Sequence, residues 1–199
     1  RLPLEAGTFM AARDAMVLAF SRPGPERTKH RTYMESIGIV GEAQNQYFNS
    51  GVLRINREGW SAISEPTLRL LAGQANRFRF QDQDALNLAA LNRCVPLSFK
   101  YNFPAFLLNS GLERLVEPVI YHFCANPRPW NGPFLPWGRK YYQRYVDLCT
   151  QYPQLRELMP RFPALKQLKY GLLQPPRFAM VALTWNTPSV RNSMIGGVS

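Results

Sequence analysis

Apolar residues fall into short runs separated by charged and proline-rich stretches, and the period of the runs changes along the chain. The first run, TFMAARDAMVLAF (Thr8 to Phe20), is apolar around Asp14 and predicts a buried strand with a loop after it, a helix being the alternative. SRPGPERTKHRTYMESIG follows, rich in Pro, Gly and charge, and reads as an exposed basic loop carrying Arg22, Arg27, Lys29 and Arg31. YFNSGVLRIN (Tyr47 to Asn56) alternates as a strand does, with a glycine where a backbone or ligand comes close. EPTLRLLAGQANRF has helical spacing, with Ser64 as its expected N-cap. FQDQDALNLAALNR predicts a short helix with Asp82 or Gln83 at its positive end.

VPLSFKYNF and EPVIYHF are short strand candidates. GRKYYQRYVDLCTQYP predicts a helix with Tyr141, Tyr145 and Leu148 on one face. Two short helices split by prolines are expected between Pro153 and Leu173, and beyond Pro175 a tail that wraps or frays. Strands interleaved with helices make this an α/β chain.

Composition narrows the partners. At 199 residues and 46% hydrophobic, the chain is long enough to bury a core as one domain or most of one. Its net charge of +11 calls for an anionic partner: nucleic acid, acidic lipid or a phosphorylated substrate. Cys94, Cys124 and Cys149 form an odd set without C-x-x-C spacing, which reads as thiols in a reducing compartment. No run reaches the roughly 18 apolar residues of a membrane span, and no signal peptide is visible. The opening RLPLEAG reads as the middle of something, so further residues are expected upstream.

Candidate chemistry starts with the acids. Of four Asp in the chain, two stand in QDQDALN. A D-x-D pair can hold a divalent metal on hard oxygens, or one Asp caps the helix while the other is solvated. His122, in HFCANPRPW, is a hydrogen-bonded structural histidine or a ligand. Arg128, between two prolines, is a surface arginine or a bidentate phosphate grip. No phosphate loop, zinc finger or G-x-S-x-G is present.

Four pieces in order, YFNSGVLRIN, FQDQDALN, FKYNF and HFCANPRPW, resemble family 8 glycosyltransferases. These are retaining, metal-dependent enzymes of the GT-A fold that include bacterial lipopolysaccharide galactosyl- and glucosyltransferases. The resemblance covers about residues 10 to 137. It implies a partial GT-A fold, a mixed sheet flanked by helices, with catalytic-domain residues 1–137 followed by a basic helical region, 138–199. It implies a UDP-sugar donor, Mn2+ or Mg2+, and a saccharide or lipid-linked acceptor. His122 matches the metal-binding histidine, Asn49 and Ser50 donor-sugar contacts, and Asp82 the carboxylate holding sugar hydroxyls. Gln83 matches the glutamine on the β face of the anomeric centre and Asp84 the neighbouring acid, and the resemblance makes these two the catalytic candidates. Asp14 and Asn102 fall on the acceptor side. Arg128 stands where the family has the lysine that grips the diphosphate, and Ala125 where it has a glycine. The family's metal-binding D-x-D lies upstream of residues like 1–12, so Asp82-Gln83-Asp84 is the later, sugar-side motif and the uridine-binding strands are expected before Arg1.

That resemblance implies hexosyl transfer with retention, by front-face attack because an amide is a weak nucleophile. Arg139, Lys140, Arg144, Arg156, Arg161, Lys166 and Lys169, interleaved with aromatics, suit docking on an anionic membrane, or else form a solvated helix face. The implied location is cytoplasmic, peripheral on the inner face of the membrane. The rivals are a non-catalytic or degenerate homologue and a basic nucleic-acid-binding module; no nucleic-acid motif is present, and no nucleic-acid partner is expected.

Overall fold

The computed structural model describes residues 8–22, 24–91, 93–159 and 161–196. The opening Arg1–Gly7, expected to follow a nucleotide-binding half, lies outside the described residues. The chain runs β1 (Phe9–Arg13), α1 (Ala15–Ala19), α2 (Pro25–Ser36), β2 (Phe48–Ile55), α3 (Arg57–Gln74), α4 (Gln81–Ala89) and β3 (Cys94–Leu97). It continues with β4 (Phe103–Pro104), α5 (Glu113–Val116), β5 (Tyr121–His122), α6 (Gly138–Gln151), α7 (Ala164–Trp185) and α8 (Pro188–Ile195). Contacts divide it into two units, residues 1–102 with 188–199, and residues 103–187.

In the first unit β1 is the middle strand of a mixed sheet ordered β2-β1-β3. A central strand is covered on both faces, which is why Phe9 to Ala12 are all buried and the run is continuously apolar. β2 pairs with β1 antiparallel and β3 pairs with it parallel. The β1–β2 register shifts between Ala11 and Arg13, and past the shift Asp14 N–H donates to the Tyr47 carbonyl at 3.0 Å. This irregular strand end sets Asp14 beside the start of β2, a common use of such irregularities near functional sites.

Asn87, in α4, clamps that helix to β2. Its Oδ1 accepts from Phe48 N–H and its Nδ2 donates to the carbonyls of Phe48 and Gln83, all at 2.8 Å. Phe9, Phe48, Ile63 and Leu86 fill the space beneath. A second cluster gathers Met16, Phe20, Met34, Ile39, Tyr47 and Phe78. Cys94 lies in β3, where burial pushes its thiol up to about 12 and leaves it unreactive. No disulfide joins the three cysteines among the described residues.

Four local expectations are corrected. The loop expected after β1 is α1, capped by Asp14, whose Oδ1 accepts from Met16 N–H at 2.9 Å. The basic segment read as a loop contains α2: Gly24 turns the chain at φ +133°, Pro25 fills the first helical position, and Met34 is buried. Its apolar face is too narrow to read through the surrounding charge. α3 begins eight residues before Glu65, capped by Asn56 rather than Ser64, and continues through Pro66. Asn56 Oδ1 accepts from Gly59 N–H at 2.7 Å.

The fourth correction lies at the C-terminal end. The first of the two short helices expected between Pro153 and Leu173 is a 3-10 turn, Pro153–Arg156. The second does not stop at Leu173: it is the start of the 22-residue α7, which runs on through Pro175 and Pro176 where a fraying tail was expected, followed by α8. In the first unit α8 buries Val190 and Met194 and joins Ser193 Oγ to Ser21 Oγ at 2.6 Å.

The second unit holds the short parallel pair β4–β5 and an aromatic core. Phe123 packs against Trp137 and Tyr141, and Phe134 against Phe162 and Tyr170. Tyr141 and Tyr145 both lie on α6, as expected, facing Tyr121 and Trp130 respectively.

Candidate active site

In the first unit, the ends of β1 and β2, the start of α4 and the turn at Asn102 bring seven of the sequence-predicted residues into one hydrogen-bonded array, Asp84 joining it through the Tyr47 hydroxyl. Gln83 sits in the first turn of α4 and is buried. Its Oε1 accepts from Asn49 Nδ2 at 3.0 Å and from Ser50 N–H at 3.2 Å. Its Nε2 donates to Asp14 Oδ2 and to the Tyr47 hydroxyl, both at 3.1 Å.

The orientation of these amides follows from their partners. A carboxylate accepts only and a backbone N–H donates only, so Asp14 and Ser50 fix which end of Gln83 is which. Asn49 Nδ2 also donates to Asp14 Oδ2, at 3.0 Å. That leaves Asn49 Oδ1 to accept from Gly51 N–H and from Asn102 Nδ2, both at 2.9 Å. Asn102 is almost wholly buried, and its Oδ1 has no donor among the described residues. An unpaired buried acceptor costs about 1–3 kcal/mol, which makes Asn102 Oδ1 the weak point of the array.

The two acids of D-Q-D divide in environment. Asp84 is 0% exposed and receives the hydroxyls of Tyr47, at 2.5 Å, and Tyr33, with the Phe80 N–H at 2.8 Å. It pins the start of α4 and faces no solvent. Asp82 is exposed and accepts from Ser50 Oγ at 2.9 Å, leaving its other oxygen for a hydroxyl-bearing ligand. Burial, reinforced by the bond to Asp84, pushes the Tyr33 hydroxyl up to about 12 and the Tyr47 hydroxyl higher still.

Tyr33, Tyr47 and Asn87 had no assigned role in the sequence reading. Tyr47 and Asn87 stand inside YFNSG and DQDALN, so the motifs carried the signal. Tyr33 gave none, because its segment read as a loop.

His122, Ala125 and Arg128 lie in the second unit. His122 ends β5, paired to Pro104, and its carbonyl accepts from Cys124 N–H at 3.0 Å. Ala125 is half-buried in the bend that follows. Arg128 precedes the Pro129–Asn131 turn and donates its backbone N–H to Asn131 Oδ1 at 2.7 Å, which ties the turn to its first residue. Among the described residues no three His, Cys, Asp or Glu side chains gather closely enough to hold a metal ion.

Mixed sheet, flanking helices and the polar array at the strand ends define an α/β protein of the GT-A type. A crystal structure of an active-site mutant of LgtC matches it with a TM-score of 0.50 at 20% identity, covering 83% of this chain and 57% of that one. Residues 14–132, more than half of the chain, match the sequence model of Glycosyl transferase family 8, and the protein belongs to that family.

Lipopolysaccharide glucosyltransferase WaaO of Escherichia coli strain K12 is 32% identical over 146 residues, 68% of this chain and 42% of WaaO. Lipopolysaccharide 1,2-glucosyltransferase of the same strain is 25% identical over 114 residues, 51% of this chain and 33% of that protein. The chain therefore spans less than half the length of these curated relatives.

Proposed function

We propose that this chain is the sugar-handling part of a retaining glycosyltransferase that moves a hexose from a UDP-sugar to a saccharide or lipid-linked acceptor. The observation that carries the reading is the fixed array Asp14–Asn49–Gln83–Asn102 with Asp82 at its exposed edge. Its amides bond to one another and so hold the floor of the site rigid, while Asp82 at the edge keeps a carboxylate oxygen for a hydroxyl-bearing ring. Asp82, Asn49 and Ser50 hold the donor hexose in this reading. Asp14 and Asn102 take the acceptor side, and Asp84, locked by two tyrosines, positions Gln83.

Gln83 bears on the mechanism. A double displacement needs a lone pair on Oε1 free to attack the anomeric carbon, and here two N–H groups occupy that oxygen. The amide therefore serves as a polar surface against the developing positive charge, and the acceptor hydroxyl attacks from the face the diphosphate leaves. The family resemblance assigns Arg128 to the diphosphate, which its planar, forked cation suits.

The divalent ion that the resemblance implies, Mn2+ or Mg2+, finds a candidate ligand in His122 and no complete donor set among the described residues, so no step is assigned to it.

The membrane is the second partner in this reading. On α7, Leu165, Leu168, Leu172, Met180 and Leu183 recur at helical spacing and are 60–81% exposed, an inversion of the usual helix. Lys166, Lys169 and Arg177 share the helix, and no acidic residue follows Glu157. Apolar residues flanked only by cations suit the surface of an anionic bilayer, where a lipid-linked acceptor is presented. No helix among the described residues is long and apolar enough to cross a membrane.

The transferase reading is tested by UDP release from UDP-glucose and UDP-galactose by the intact protein, with and without Mn2+ and a lipopolysaccharide-type acceptor. Acceptor-dependent release from one donor is expected. No release from any donor contradicts it.

A further inference from the structure

A cavity of about 400 Å³ lies within the second unit, between α6 and the connection that follows it, and holds none of the residues assigned to the donor sugar, the acceptor or the diphosphate. One wall is aromatic. Trp130 and Tyr145 stand with ring centroids 5.5 Å apart, tilted by 58°, and Tyr142 lies one turn before Tyr145 on the same helix. Cys149 and Met159 line it too, their sulfurs 3.7 Å apart. The remaining charged lining is Arg156, which closes the Pro153–Arg156 turn, and Arg161.

No Asp or Glu lines the cavity, and among the described residues no carboxylate is ion-paired to either arginine. Two guanidiniums lining one cavity without a carboxylate favour an anion there, and planar forked donors match phosphate oxygens. The aromatic faces ask for something else, since their negative π-clouds disfavour an anion and accept apolar C–H surface. A ligand satisfying both walls is a ring with an apolar face and an anionic substituent. The volume lies within the range of small-molecule sites.

We propose that this cavity binds a phosphate-bearing sugar, its ring against Trp130 and Tyr145 and its phosphate between Arg156 and Arg161. The proposal rests on the transferase reading for the occupant's role, which is that of an acceptor-type saccharide already phosphorylated. Binding itself requires no transfer.

The test titrates the 199-residue chain by calorimetry with glucose 6-phosphate, glucose, inorganic phosphate and phosphatidylglycerol vesicles. Glucose 6-phosphate is expected to bind at least ten-fold more tightly than glucose or phosphate alone. The double variant Arg156→Gln/Arg161→Gln, both sites exposed, should lose ten-fold or more of that affinity at unchanged Tm. Saturation transfer to the sugar ring protons should fall in Tyr145→Leu. Three results overturn the proposal: phosphate binding as tightly as the phosphosugar, affinity untouched by the double variant, or vesicles alone engaging the two arginines. Intact transfer without phosphosugar binding faults this proposal alone, and phosphosugar binding without transfer faults the transferase reading alone.

Discussion

Gln83 makes four hydrogen bonds through one amide, and its removal acts on both stability and chemistry. Gln83→Ala strands Ser50 N–H and takes one bond each from Asn49 Nδ2, Asp14 Oδ2 and the Tyr47 hydroxyl, which keep their other partners. We expect a loss of about 2 kcal/mol in denaturant unfolding, water replacing some of the lost bonds. Transfer should fall about 100-fold from misplacement of the donor sugar. Asn102→Ala should separate the two effects. It deletes one bond to Asn49 but also removes the unpaired Oδ1, so stability should change by less than about 1 kcal/mol while transfer drops.

Tyr33 and Tyr47 give a pH signature with a definite sign. Both hydroxyls are raised above the ordinary tyrosine value of 10.0 when folded, so above pH 10 the unfolded chain loses protons that the folded chain keeps. Stability contributed by the pair is therefore full below pH 10 and falls as pH rises through 10 toward 12. Thermal unfolding from pH 8 to 11.5 should show a decline that is shallower in Tyr47→Phe. Equal slopes would contradict the Asp84–tyrosine clamp. The motif words YFNSG and DQDALN made most of this site readable, whereas Tyr33 reaches Asp84 from 51 residues away and no local pattern could announce it.

Elements show where local chemistry is decisive. Gly59 lies in the first turn of α3, where alanine would normally stabilise a helix by up to about 1 kcal/mol. A Cβ there would meet the Thr8 carbonyl oxygen at 2.6 Å, backbone that cannot easily yield. Gly59→Ala should therefore lower Tm, and a raised Tm would show that α3 does not pack this closely on the strand start. Asn56→Ala, removing the cap, should cost about 1 kcal/mol, while Ser64→Ala should cost little.

β1, β2, α4 and α6 were legible because their apolar periods are clean. α2 was not, its charges masking a narrow apolar face. α7 was not, because prolines argued for a break and its apolar residues face outward, so burial could not organise the pattern.

At the scale of the whole molecule, charge and exposed apolar surface act together. Co-sedimentation with phosphatidylglycerol vesicles should be strong at low salt, weaken as salt screens the lysines, and fall sharply in Leu168→Glu/Leu172→Glu. Because both positions are exposed, Tm should hardly move. Vesicle binding unchanged by that pair would remove α7 as the docking face. Neither surface nor charge reports stereochemistry, which is the central claim at this scale. The direct measurement is the anomeric configuration of the first product, read by NMR, when the intact protein acts on an α-linked UDP-hexose with its acceptor. Retention, an α-linked product, is expected. A β-linked product, or no transfer with any UDP-hexose, would contradict it.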